Sequence, residues 1–312
     1  FFKKGNPIRE SNDFVDNELT GSMNLLINTI GDHKDPNILN DINNLQYYLD
    51  TAKAHDKINT TISIVDVIKQ MHKTTRSDSS EYYTIPNHRA LVNELYFQYQ
   101  GDDLSSLVSF DYDNGLVTGM MQSISTKETV ALVKDLENYI DKNITSELET
   151  KISGLAVFFR DFVNLIIKSS IISILVSIFV IFIISWYFFK ALKWGLLAVV
   201  PLSCAVVLNF GLMGFFEIKL SHITAILTAI IIGVGVDFSI HYISEFKRNL
   251  KNKISLSTIS KNNVDDVGYP ILLDVLSNMG FATLLFSALI PLNYMGGLMI
   301  FAMLSTSIGT LT

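Results

Sequence analysis

The chain has 312 residues, 49% of them hydrophobic and only 17% charged, with a formal net charge of −6. That balance is too apolar for an ordinary soluble domain and points to a membrane protein. It holds no basic patch of the kind that binds nucleic acid, and its one cysteine, Cys204, excludes a disulfide framework or a cysteine-based zinc cluster.

Charge divides the chain. Residues 1–167 carry 15 Lys and Arg against 24 Asp and Glu, a balance of −9; residues 168–312 carry 9 against 6, a balance of +3. The acidic part reads as an α+β domain over 1–160. MNLLINTIG (Met23–Gly31) reads as a strand buried on at least one face. Apolar residues recur at helical spacing over Asn37–Ala52 behind the start signal Asp35-Pro36. SIVDVIKQMHK and HRALVNELYFQYQ predict two more helices. GLVTGMMQSI (Gly115–Ile124) alternates like a strand after the turn residues DYDNG. Ser125–Ile144 reads as a helix with Ser125 and Glu128 at capping-box spacing. A strand near Glu149–Gly154 closes a split β-α-β, ferredoxin-like pattern.

From residue 161 the chain reads as a transmembrane domain. Ser169–Phe189 is 21 residues without a charge, enough for a helix to cross about 30 Å of hydrocarbon. Further spans are expected at about 196–216, 223–243 and 277–292, with a fifth over 295–312 cut short at Thr312. Lys190 and Lys193 follow the first span; Lys247, Arg248, Lys251 and Lys253 follow the third. By the positive-inside rule those connections face the cytoplasm, which places residues 1–160 outside the cell membrane and residues about 244–275 in a cytoplasmic segment. The chain opens on Phe1 and ends within an apolar run, so it reads as a fragment.

The stretch GVGVDFSIHYISEF sets Asp237 within the third apolar run. Gly233, Asp237 and His241 fall at i, i+4 and i+8, on one helix face, and Gly233 and Gly235 allow another helix to approach closely. A charged carboxylate at membrane depth costs roughly 2.5–3.5 kcal/mol on insertion scales, and such residues by default mark ion or proton paths. Asp237 is therefore the candidate proton-carrying group, with His241 as a candidate relay. Asn209, Asn278 and Thr283 are candidate polar partners. No metal site is expected, since two ligands do not make one. No phosphate-binding G-x-x-x-x-G-K-[ST] loop occurs, and no nucleophile accompanies Asp237 and His241, so neither an ATP-driven protein nor an enzyme is expected.

The order of an external α+β domain, ISGLAVFFRDF leading into a span, KALKWGLLAVVPLSCAVVLNFGLMGFF, and ITAILTAIIIGVGVDFSIHYISEFKR closely resembles the RND superfamily, in particular its MmpL-like exporters. That branch shares its membrane module with sterol-sensing-domain proteins such as Patched. The most specific element is the G-x-x-x-D-[YF] pattern, here Gly233, Asp237 and Phe238; the position of Phe238 often holds a Tyr. The resemblance implies a polytopic helical membrane protein with an extracytoplasmic porter domain. It implies export of hydrophobic or amphiphilic molecules, often lipids, with a proton gradient in place of a cofactor. Asp237 matches the proton-carrying aspartate. The implied partners are membrane lipids, the substrate, a second similar half of the parent protein, and further copies in a homo-oligomer. A lipid sensor on the same membrane module, or a SecD/SecF-like accessory of protein secretion, are the alternative readings.

Overall fold

The computed structural model describes residues 2–51, 56–98, 104–144, 146–218, 222–252 and 256–311. They fall into two compact units, Pro7–Phe162, and Val163–Thr312 together with Phe1–Asn6.

The first unit is built on a four-stranded antiparallel sheet in the order β2-β3-β1-β4, with β1 Met23–Ile30, β2 Ile58–Ile62, β3 Asn114–Met121 and β4 Glu149–Ser153. Helices α2 (Pro36–Thr51) and α5 (Thr126–Asn143) follow β1 and β3. This is the split β-α-β arrangement expected from the sequence. Strand β1 alternates strictly, with Met23, Leu25, Ile27 and Thr29 buried, because successive side chains leave opposite faces of a strand. Those residues and Val117 and Met121 of β3 meet Leu39, Ile42, Leu45 and Leu49 of α2 and Leu132, Val133 and Leu136 of α5 in one core. Between β2 and β3 lie α3 (Ile64–Thr75) and α4 (Arg89–Gln98). Helix α5 starts on the expected capping box: the Ser125 hydroxyl accepts from the Glu128 N–H, and Glu128 Oε2 accepts from the Ser125 N–H at 2.7 Å. Helix α3 carries a second one, Ser63 with Asp66.

Two elements escaped the sequence reading. β2 is short and largely polar, and it shifts register against β3 between Ile58 and Thr60. Helix α1 (Pro7–Glu18) buries no residue; Asp16 Oδ1 tethers it by accepting from the Ser22 N–H at 2.8 Å.

A fully buried histidine closes the β1–β3 end of this core. His33 Nδ1 lies 2.8 Å from the Gly31 carbonyl and 3.2 Å from that of Tyr112, and Nε2 lies 2.9 Å from Thr29 Oγ1. Two carbonyl acceptors assign the proton to Nδ1, so Nε2 accepts from the Thr29 hydroxyl. Burial holds the imidazole pKa below its ordinary value of 6.5, against the opposing pull of both carbonyls and of Asp32 and Asp113.

The second unit is helical. Five helices among the described residues are long and apolar enough to cross a membrane: Leu155–Phe189, Leu192–Phe215, Ile223–Lys251, Lys261–Phe286 and Ile290–Leu311. They correspond to α6 (Leu155–Phe189), α7 (Leu192–Phe215), α8 (His222–Lys251), α9 (Leu256–Asn278) with the 3₁₀ segment Met279–Phe286 that continues it, and α10 (Ile290–Leu311). Gly154, at φ +106°, makes the sharp entry into α6: a Cβ there would sit 2.7 Å from the Asn24 carbonyl oxygen. The core of this unit joins Leu202, Val206 and Met213 of α7, Leu227, Ile231 and Phe238 of α8, Ile271 and Val275 of α9, and Met299, Ala302 and Met303 of α10.

The fourth span differs from the expectation of 277–292. The chain leaves helical geometry at Ser287, and α10 begins at Ile290 with Pro291 in its first turn, where proline's missing N–H costs no helical bond. The helix of membrane length here runs over 261–286. Residues 244–251 continue α8, and residues 261–275 lie in α9. Asn293 joins the 3₁₀ segment to α10, its side-chain amide donating to the carbonyls of Leu284 (2.9 Å), Leu285 (2.8 Å) and Ser287 (3.0 Å).

Candidate functional site

Helix α8 presents two different faces around Asp237. Phe238 (2% exposed) and Ser239 (1%) turn into the membrane unit's core. Gly235 lies on that side too, where a Cβ would come within 3.0 Å of Leu202 Cδ1 and of Thr306 Cγ2, so its lack of a side chain lets α7 and α10 close in. Gly233, Asp237 and His241 are exposed. Nothing lies within 4 Å of a Cβ built on Gly233, so among the described residues no neighbouring helix packs on it.

Asp237 and His241 line an open cavity of about 530 Å³ between α8 and α9. From α8 it is lined by Asp237, Phe238, His241, Ser244, Glu245 and Arg248, and from α9 by Asp266, Val267, Pro270, Ile271 and Asp274. Asp237 makes no hydrogen bond or ion pair with another described residue. At the cavity's far end Arg248 pairs with Glu245. Asn249 Nδ2 donates to Asn263 Oδ1 at 2.8 Å and to Glu245 Oε1 at 3.3 Å, and Asn263 Nδ2 donates to the Tyr242 carbonyl at 3.3 Å. This buried amide pair fastens the end of α8 to the start of α9 and so holds the two cavity walls in register. Lys247 Nζ donates to the Phe189 carbonyl at 2.8 Å, satisfying the C-terminal end of α6.

Of the three candidate polar partners, two bond within their own segment and the third is unpartnered. Asn278 Nδ2 donates to the carbonyl of Asp274 at 3.0 Å and to its Oδ1 at 3.3 Å. Thr283 donates to the Gly280 carbonyl at 2.8 Å. Asn209 is buried in α7 and its Oδ1 has no partner. None of the three lines the Asp237 cavity. Sequence reading did not place Asp266 and Asp274 at this cavity. The signal that would have found them is the apolar run Ile271–Leu273 and Val275–Leu276 around Asp274, which mirrors the setting of Asp237. Among the described residues no three His, Cys, Asp or Glu side chains are placed to hold a metal ion.

Known proteins supply the family. The MMPL family model matches residues 49–299, which take in most of the α+β unit, the Asp237 helix and the fourth membrane-length helix. The chain belongs to the MMPL family, within the RND superfamily. A membrane protein of Methanocaldococcus jannaschii is 22% identical over 261 residues, which are 83% of this chain and 64% of that relative. The chain thus spans a little under two thirds of the length of the relative it matches. With five membrane-length helices, this MMPL chain is a multi-pass membrane protein.

Proposed function

We propose that this MMPL chain forms part of a proton-driven RND-type transporter that exports hydrophobic or amphiphilic molecules, lipids among them, with Asp237 as the proton-coupling residue. One observation carries the reading: Asp237, on a membrane-length helix, bears an unpaired carboxylate on an open polar cavity. A carboxylate retained at such depth without a structural partner has a function that offsets its insertion cost.

In the proposed cycle Asp237 takes up a proton from outside and releases it toward the cytoplasm. Neutral and charged carboxyl groups favour different surroundings, so each transfer changes the stable packing of α8 against its neighbours. His241, one turn on and facing the same cavity, passes the proton between Asp237 and the water beyond. The α+β unit lies outside the cell membrane and handles the substrate. An elementary charge crossing 100 mV supplies about 2.3 kcal/mol, a modest drive per proton. MMPL membership, the basic residues after α8 and the apolar helices support this reading.

Gradient drive is tested with the full-length protein in vesicles loaded with a fluorescent lipid. Export is expected to stop when a protonophore collapses the gradient and to persist without ATP. Export that survives the protonophore contradicts the proposal. Lipid binding with no transport under any gradient favours a sensor built on the same module.

A further inference from the structure

The α+β unit holds an open pocket of about 520 Å³ over α3, within the size range of small-ligand sites. Its half-buried floor is apolar, made by Val67 and Met71 of α3 and by Leu107, and the exposed amides of Gln70 and Gln98 stand on its rim. Among the described residues the one charged side chain lining it is Asp66, itself half-buried. The capping box of α3 uses a single oxygen of that carboxylate. Oδ2 accepts from the Ser63 N–H at 2.9 Å and from Gln46 Nε2 at 2.8 Å, while no described residue donates to Oδ1. Gln46 and Ser63 beneath it are 5% and 1% exposed, and the Ser63 hydroxyl donates to Gln46 Oε1 at 2.6 Å. Both ends of the Gln46 amide are thus spent on holding Ser63 and Asp66, and a carboxylate fixed in this way loses little freedom when it takes a ligand. The lysines of α3 do not neutralise it: Lys69 lies over the Tyr83 ring, and Lys73 pairs with Asp78 at 3.4 Å.

We infer that this pocket binds an amphiphile with a primary-amine head and a single apolar chain, the ammonium donating to Asp66 Oδ1 and the chain lying on Val67, Met71 and Leu107; this names a substrate class for the α+β unit and rests on the reading of that unit as the part that handles substrate. Charge complementarity selects the head. A pocket with one carboxylate and no lining cation repels a fatty-acid or phosphate head, whereas an ammonium–carboxylate hydrogen bond in half-buried surroundings is among the stronger ones. Gln70 and Gln98 supply further acceptors at the rim. Met71, unbranched and with three rotatable bonds, lets the floor adjust to chains of different shape. Free alkylamines and amine-headed lipids share this chemistry.

The probe is dodecylamine with a diazirine at the far end of its chain, photolysed with the full-length protein in phosphatidylcholine nanodiscs; dodecanoate bearing the same diazirine is the control. Peptide mass spectrometry is expected to find amine-specific labelling on peptides covering 62–75 and 104–108. In Asp66→Asn, which keeps an acceptor for the Ser63 N–H, labelling at a subsaturating probe concentration is expected to fall about tenfold. Gln70→Trp fills the pocket from an exposed rim position without touching the cap; it is expected to block labelling even where Asp66→Asn fails to fold. Weaker labelling in phosphatidylethanolamine nanodiscs assigns an amine-headed lipid of the bilayer, and displacement by unlabelled dodecylamine alone assigns a soluble amphiphile; either result upholds the site. Labelling absent from those peptides, equal with both probes, or unmoved by both variants overturns the pocket and leaves gradient-driven export standing. Labelling as expected, with no gradient-driven export of dodecylamine, upholds the pocket and counts against the proposed function.

Discussion

Acid should loosen the α+β unit through His33. Folding keeps this imidazole neutral: it is 0% exposed, its Nδ1–H is spent on the Gly31 and Tyr112 carbonyls, and Nε2 accepts from Thr29. A second proton on the ring would need an acceptor where the Thr29 hydroxyl now donates. Because burial lowers the folded-state pKa, the unfolded chain binds the proton first. The stabilisation is therefore complete above the unfolded value of about 6.5 and declines as pH falls below it. The loss accumulates as pH falls from about 6.5 toward the lowered folded-state value. Hydrogen exchange of the full-length protein checks this on peptides covering 23–33 and 112–121, after correction for intrinsic exchange. Protection there should fall as pH drops from 7.5 to 5.5. His33→Gln should lower protection at pH 7.5 but flatten its pH dependence. A flat wild-type profile, or an equal slope in His33→Gln, would refute the reasoning.

Three further outcomes follow from particular contacts. Gly115→Ala places a Cβ 2.3 Å from His33 Nε2 and 2.8 Å from Thr29 Oγ1, so the α+β unit should lose about 3 kcal/mol and the pH dependence assigned to His33; urea denaturation of the full-length protein reads the former. Asn293→Leu leaves the carbonyls of Leu284, Leu285 and Ser287 without their amide donor and should cost about 1–3 kcal/mol, seen as a lower melting temperature in detergent with little change in the α+β unit's exchange. With Cys204 replaced by Ala, a cysteine at Phe110 (92% exposed) should react with an impermeant maleimide in intact cells, and one at Asn252 only after permeabilisation; the reverse pattern would invert the proposed orientation.

Much of this architecture was legible in the sequence where one physical rule dominates. The period-2 burial of Met23–Ile30, the capping box at Ser125 and the charge-free run Ser169–Phe189 each follow from local chemistry, and the structure shows a strand, a capped helix and a membrane-length helix there. β2 was not legible because Asn59, Thr60 and Thr61 carry no apolar alternation; pairing with β3 makes it a strand. Its hydrogen bonds are non-local, and so is the information that specifies them. The start of the fourth membrane-length helix was not legible, because Asp265, Asp266, Pro270 and Asp274 interrupt its apolar pattern. In the folded chain two of those acids and the proline line a cavity, which lets the helix continue. Asp237 was visible on α8, while the α9 residues that line the same cavity were not, because their facing is a long-range contact.

The most direct test of Asp237 as the coupling residue compares wild type, Asp237→Asn and Asp237→Glu at equal folded abundance in vesicles, following fluorescent-lipid export under an imposed pH gradient. The account predicts that Asp237→Asn abolishes gradient-driven export while Asp237→Glu, which still carries a proton, retains part of it. Normal export by Asp237→Asn would contradict it and reduce Asp237 to a cavity-lining residue.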